Sequence, residues 1–271
     1  MSTSFPTRLP ALAAGATITR KNKPWSVRSA GTAPVQPTPR TIPLTRRYEV
    51  MWLDADGQVE DFIRIAPAIP IFEDAFSAFA HGAIIPTTEG PVAVEDLVPG
   101  MAVETASGEV AVLRWVGAIT LVPGAPSARE GGQKLYRVTA DAFGLGRPAT
   151  DVTFGPAARL LNRDPAVRNA LGCEAALAPV STFVDGIGVA ELNPVSPVRV
   201  YHLAFDRHHV IRVGGVEVES YHPGPDAHYS MSQELRAVFL GLFPYVEVMQ
   251  DFGRVLWPRV EAQDTGELEI V

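Results

Sequence analysis

Cysteine is nearly absent from this chain of 271 residues. Cys173 stands alone, so no intramolecular disulfide can staple the fold and no multi-cysteine metal site can form. Long apolar runs are missing as well. None approaches the roughly 20 residues that a helix needs to span a bilayer, so no membrane-spanning role is expected. Acidic residues are missing from one end: Met1 to Arg47 holds Arg8, Arg20, Lys21, Lys23, Arg28, Arg40, Arg46 and Arg47, and no Asp or Glu. The net charge of −7 therefore joins a basic leader to a body with 15 basic and 30 acidic residues.

What is present is ordinary for a globular protein, with 46% hydrophobic and 20% charged residues in a length that can bury a full core. The leader differs. It is rich in Pro, Ser, Thr and Ala with little apolar periodicity, so it cannot bury enough surface to offset its ordering entropy, and residues 1–44 are expected to be disordered. Its diluted charges lack interleaved aromatics and read as a solvated linker, so no nucleic-acid partner is expected. The stretch "LPALAAGA" after Arg8 has the apolar character of a signal-peptide core, but prolines flank or interrupt it and little charge precedes it. A cytoplasmic location is the expectation, with export as the alternative.

From Tyr48 the pattern is that of strands. Two partly alternating runs, Tyr48 to Leu53 and Gln58 to Ile65, meet at Asp54-Ala55-Asp56-Gly57 and predict a β-hairpin. Phe72, Ala75, Phe76 and Phe79 follow at helical spacing and predict a short amphipathic helix. Beyond Gly82 the apolar runs are short and are broken by turn signals such as Glu89-Gly90-Pro91, Pro99-Gly100, Asp185-Gly186 and Gly214-Gly215. No strand–helix alternation occurs, so a mainly β body is predicted. Near the end, Ser230 with Gln233 reads as a capping box for a helix carrying Leu235, Val238, Phe239 and Leu242.

Four stretches carry a resemblance: "GAIIPTTEGPVAVEDLVPGMAVETASG", "FGLGRPATDVTFGPAARLL", "VYHLAFDRHHVIRVGGVEVESYHPG" and "LGLFPYVEVMQDFG". In this order the chain resembles the Hint family of hedgehog autoprocessing domains and inteins, and in particular bacterial Hint proteins, over roughly residues 48 to 255. The resemblance implies an all-β horseshoe of short strands at 78–224. A hairpin and short helix at 45–77 would precede it, and a helical extension at 225–271 would follow.

In that family a Cys or Ser attacks the preceding carbonyl, a Thr-x-x-His pair twists and polarises the amide, and a late Asp or His assists proton transfer. An amide needs such help, since resonance sets a barrier of about 18–20 kcal/mol even to rotation about the bond. Carried across, the resemblance puts Ala78 at the nucleophile position, within Ala78-Phe79-Ala80-His81-Gly82. It puts Gly155 and Ala158 at the Thr and His positions. The terminal His-Asn of inteins falls near Glu219-Ser220, and Asp206 and His208 fall on the assisting positions. Three roles are empty, and a methyl group cannot attack a carbonyl.

Ser77, one residue away, is the candidate substitute nucleophile, although a hydroxyl needs an adjacent base. Cys173, between Gly172 and Glu174, reads as a small buried hydrophobe, and His81 as a solvent-exposed loop residue. His202, His208 and His222 cluster late and could ligate a metal such as zinc, but structural hydrogen bonding is the expected role. No cofactor motif occurs. Two functions follow: a non-catalytic Hint module that holds a peptide or protein partner or stabilises an assembly, or a self-processing protein that cleaves its own backbone through an acyl shift.

Overall fold

Alternation builds the first two strands, β1 (Thr45–Leu53) and β2 (Val59–Pro67), which pair in one unbroken antiparallel register from Thr45↔Pro67 to Leu53↔Val59. In this computed structural model, which describes residues 44–127, 133–262 and 268–270, the hairpin is longer than its sequence pattern indicates. Asp54 Oδ1 accepts the Asp56 and Gln58 amides at 2.9 and 2.7 Å and closes the turn. Residues 1–43, almost all of the basic leader, lie outside the described residues.

The predicted helix after β2 is one turn, α1 (Pro70–Glu73), continued as a 3₁₀ turn over Asp74–Phe76. It stops because the Ser77 hydroxyl donates to the Glu73 carbonyl at 2.8 Å and Ser77 leaves helical geometry, with φ −135° and ψ 42°. Phe79, expected on the same helical stripe, instead begins β3 (Phe79–Ala80).

Short antiparallel strands then follow: β4 (Ile84–Thr87), β5 (Gly90–Ala93), β6 (Ala102–Glu104), the long β7 (Val110–Leu121), β8 (Leu135–Val138), β9 (Val152–Phe154), β10 (Arg159–Asn162), β11 (Ala176–Pro179), β12 (Val189–Leu192), β13 (Val198–Phe205), β14 (Val210–Val213) and β15 (Val216–Glu219). The larger sheet runs β12-β8-β9-β3-β13-β7-β6-β4-β5, with β1 and β2 joined to it through β7. A smaller one runs β11-β10-β15-β14. One helix within this body, α2 (Pro165–Leu171), has no counterpart in the sequence reading. Asp164 caps it by accepting the Ala166 amide, and Pro165 fixes its first turn.

Period-two alternation along β7 and β13 supplies two cores. Val116, Ala118, Tyr201, Leu203 and Phe205 enter one core with Ala78, Phe79, Phe154 and Ala158. Trp115, Ile119, Val200 and Ala204 enter the other with Tyr48, Phe72, Phe76, Phe239 and Phe243. The second core draws the N-terminal hairpin and the helix α3 (Gln233–Leu240) onto the β body. Trp115 stacks on Phe243 at 4.7 Å, and its Nε1 donates to the Leu242 carbonyl at 2.8 Å. Gly117 permits this arrangement, since a Cβ there would lie 2.1 Å from the Trp115 ring and 2.6 Å from Phe76.

The α3 cap is Ser232, whose hydroxyl accepts the Leu235 amide at 3.2 Å. The expected cap, Ser230, lies before the helix and donates to the Ala227 carbonyl. Two last strands, β16 (Val260–Ala262) and β17 (Leu268–Ile270), pair with each other. The approach to β16 lies along β11, where Leu177 N donates to the Pro258 carbonyl at 2.8 Å. Among the described residues no helix is long and apolar enough to cross a membrane.

Candidate functional site

The peptide bond between Ser77 and Ala78 lies at the join of two loops and a strand. The Ala78 amide donates to the Tyr201 carbonyl of β13 at 2.9 Å. From the β9–β10 loop, Gly155 N donates to the Ala78 carbonyl at 2.8 Å and Ala157 N to the Ser77 carbonyl at 3.0 Å. The loop thus holds the carbonyl that a residue-78 nucleophile would attack, with an amide donor placed on its oxygen. The methyl of Ala78 is fully buried in the first core, as is that of Ala158.

Gly155 approaches this peptide so closely that a Cβ would stand 2.1 Å from the Ser77 oxygen and 2.8 Å from its carbonyl carbon. Gly155 is not in the left-handed region, so the obstacle to a larger residue is contact and not φ. The Ser77 hydroxyl, wholly buried, donates to the Glu73 carbonyl and carries no side-chain base as partner.

Beside Ala158 is a cavity of about 350 Å³, lined in part by Arg159, His202, Glu219, His222 and Arg259. Its polar wall centres on Glu219 at the end of β15. Glu219 Oε1 receives His208 Nε2 at 2.9 Å and Arg259 Nε at 2.9 Å, while Arg159 Nε lies 3.9 Å from the other oxygen. His208 Nδ1 accepts the Leu256 amide at 3.0 Å, which leaves Nε2 to donate to Glu219. Arg259 supplies the main balancing charge. Burial alone would raise the Glu219 carboxyl, but Arg259 above all, helped by the His208 hydrogen bond, holds it down at about 2.

The other two histidines are tied in the same way. His202 Nδ1 accepts the Leu203 amide, and His222 Nδ1 accepts the Gly224 amide while Nε2 faces the Gly253 carbonyl at 3.2 Å. Burial pushes His202 down to about 3 and His222 to about 4, so both are neutral near pH 7. Among the described residues no three His, Cys, Asp or Glu side chains gather as a metal-binding group.

The structure thus brings Ala78, Gly155 and Ala158 together, and places Ala158 on a cavity shared with His202, His222 and Glu219, the carboxylate to which His208 bonds. Asp206 stands elsewhere. Its side chain is 72% exposed in the bend after β13 and pairs with Arg114 at 3.0 Å. His81 is exposed and lies 3.3 Å from Glu95. Cys173 is half-buried and packs beside Val167 and Ala176.

Sequence reasoning noted Glu219 only near the terminal His-Asn position of inteins, and did not single out Arg259. Glu219 shares the face of Glu217, opposite the core-facing Val216 and Val218, so alternation masks its burial and its available signal was its place among the late histidines. Arg259 had none, because its contact with Glu219 spans 40 residues.

The Hint domain family profile matches residues 77–225. Among solved structures, a bacterial intein-like domain from Clostridium thermocellum is similar at 14% identity, over 54% of this chain and 99% of that one, with a TM-score of 0.37. No curated protein matches the sequence.

Proposed function

The chain belongs to the Hint domain family, and we propose that within it this protein is a non-catalytic module that uses the autoprocessing frame as a binding or structural unit. The observation that carries this reading is the Ser77–Ala78 peptide. Its carbonyl oxygen has an amide donor and its N–H is fixed on β13, yet the side chain next to the carbonyl is a buried methyl. An acyl shift needs a nucleophile as well as a polarised amide, and loss of one member of such a unit removes most of the rate.

The alternative is self-processing through Ser77. A hydroxyl at 77 would attack the Phe76 carbonyl, and it would need a base to take its proton. Its proton is instead committed to the Glu73 carbonyl, an acceptor too weakly basic to activate it. The polar side of the cavity fits the module better. His208, Glu219 and Arg259 form a closed set of hydrogen bonds that fixes the C-terminal segment to the β body.

Incubation of the purified chain with hydroxylamine or dithiothreitol tests the proposal, since both reagents intercept esters and thioesters. The chain is expected to keep its mass of 29.1 kDa. A new C-terminal fragment beginning at Ser77 or Ala78 would overturn it.

A further inference from the structure

We infer that two copies of this chain join through their β2 strands, edge to edge and antiparallel about a two-fold axis. Among the described residues β2 pairs only with β1, and its nine residues carry exposed apolar side chains interrupted by Asp61 on the same face. Val59 is 45% exposed, Ile63 53% and Ile65 72%, all on one face of the strand by their odd spacing. An edge of this kind is a template for a further strand, and of the odd-numbered residues of β2 only Pro67 lacks an amide donor.

The backbone phase selects the register. Asp54 N donates to the Gln58 carbonyl and Ala68 N to the Leu44 carbonyl, and the ladder between these points is unbroken. The even-numbered residues of β2 therefore exchange hydrogen bonds with β1, and the amides of Val59, Asp61, Ile63 and Ile65 point outward. A two-fold axis normal to the sheet pairs odd residues with odd ones. Centred on Phe62, it sets Val59 against the second copy's Ile65 and Asp61 against its Ile63. All four outward donors are then used, and Pro67, which has none, falls outside the ladder.

The same register sets Glu60 opposite Arg64 twice, and both side chains are exposed. Cross-strand charge pairing and the Val59–Ile65 contact each favour this alignment. A register centred one residue later would pair Pro67 with Val59 and lose both charge pairs. The sequence of β2 is thus complementary to itself, which makes a second copy the occupant. A single strand pair buries less than a standard protein interface, so the association is weak and reversible.

Sedimentation velocity on the full chain, from micromolar to hundreds of micromolar, tests this. The expected result is a concentration-dependent shift from 29.1 kDa to twice that mass. Ile63→Pro removes an outward amide without touching the β1 ladder and is expected to weaken association about tenfold or more. Ile65→Lys gives the same direction with no backbone change, and circular dichroism verifies that both variants fold. Glu60→Arg and Arg64→Glu should each weaken the dimer, and the double reversal should restore it.

A monomer at every concentration overturns the inference, as does a dimer indifferent to Ile63→Pro and Ile65→Lys. A full chain that dimerises only after residues 1–43 are removed also overturns it, because the leader would then be the occupant of the edge. Reversals that are not rescued in the double variant overturn the register.

Discussion

Two walls of different chemistry, one around the Ser77–Ala78 peptide and one around Glu219, meet at the cavity beside Ala158, which Ala158, Glu219 and Arg259 line. On the β3 and β9–β10 side, where the acyl group would be attacked, the side chains are Ala78, Gly155 and Ala158, and two of them are part of an apolar core. On the other side, His208, Glu219 and Arg259 form a buried charged network, with Leu256 and Arg259 contributed from beyond the span matched by the Hint family. The wall where attack would fall is packed into an apolar core, and the polar wall holds the C-terminal segment against β15 and β11. A buried polar group stays only while its partners satisfy it, so the two walls respond differently to substitution.

The largest effect is expected on the polar wall. Arg259→Leu leaves Glu219 buried without its cation and removes the bond to the His222 carbonyl. Breaking such a pair from one side costs about 3–5 kcal/mol, readable as a fall in the denaturant midpoint. A loss below about 1 kcal/mol would mean that the network is solvated, as surface pairs are.

Next is the loop on the attacking wall. Gly155→Ala sets a Cβ against the Ser77 carbonyl and is expected to cost about 1–3 kcal/mol, as overpacking does. Ala158→Ser, beside the cavity, should change stability far less. Equal costs at both positions would contradict the close approach of Gly155 to this peptide.

Acid should weaken the polar wall progressively. His202 and His222 titrate near 3 and 4 in the fold against 6.5 unfolded, so below pH 6.5 the unfolded chain binds more protons and stability falls as pH drops. Each histidine contributes about 1.4 kcal/mol per pH unit until its folded value is reached. Glu219, held near 2 against 4.5, adds loss in the same direction below pH 4.5. Denaturant midpoints measured from pH 7 to 5 should decline, and His202→Leu should reduce that slope. A flat profile would show that these rings are open to solvent.

Much of this contrast was legible in the sequence. Alternation gave the hairpin and the β body, and the family motifs led to 78, 155, 158 and 208. The failures have local causes. A Ser-x-x-Gln spacing at Ser230 imitated the cap that Ser232 provides, and the helical stripe through Phe79 ignored Ser77, whose hydroxyl ends the turn. Asp206 shares a motif with His208, but the bend after β13 turns it outward to Arg114. Arg259 belongs to the site only through a tertiary contact, which no local pattern encodes.

The proposed function keeps the autoprocessing frame and leaves its nucleophile position empty. Its most direct test is the intact mass of the wild-type chain beside an Ala78→Cys, Ala158→His double variant, each held for days with and without dithiothreitol. Gly155 is left unchanged, because a threonine there would strike the Ser77 carbonyl. The wild type is expected to stay at 29.1 kDa. The double variant is expected to release fragments of roughly 8 and 21 kDa, at about 0.11 kDa per residue, and only with thiol. Cleavage of the wild type would overturn the non-catalytic reading, and a folded double variant that never cleaves would show that the frame is lost as well.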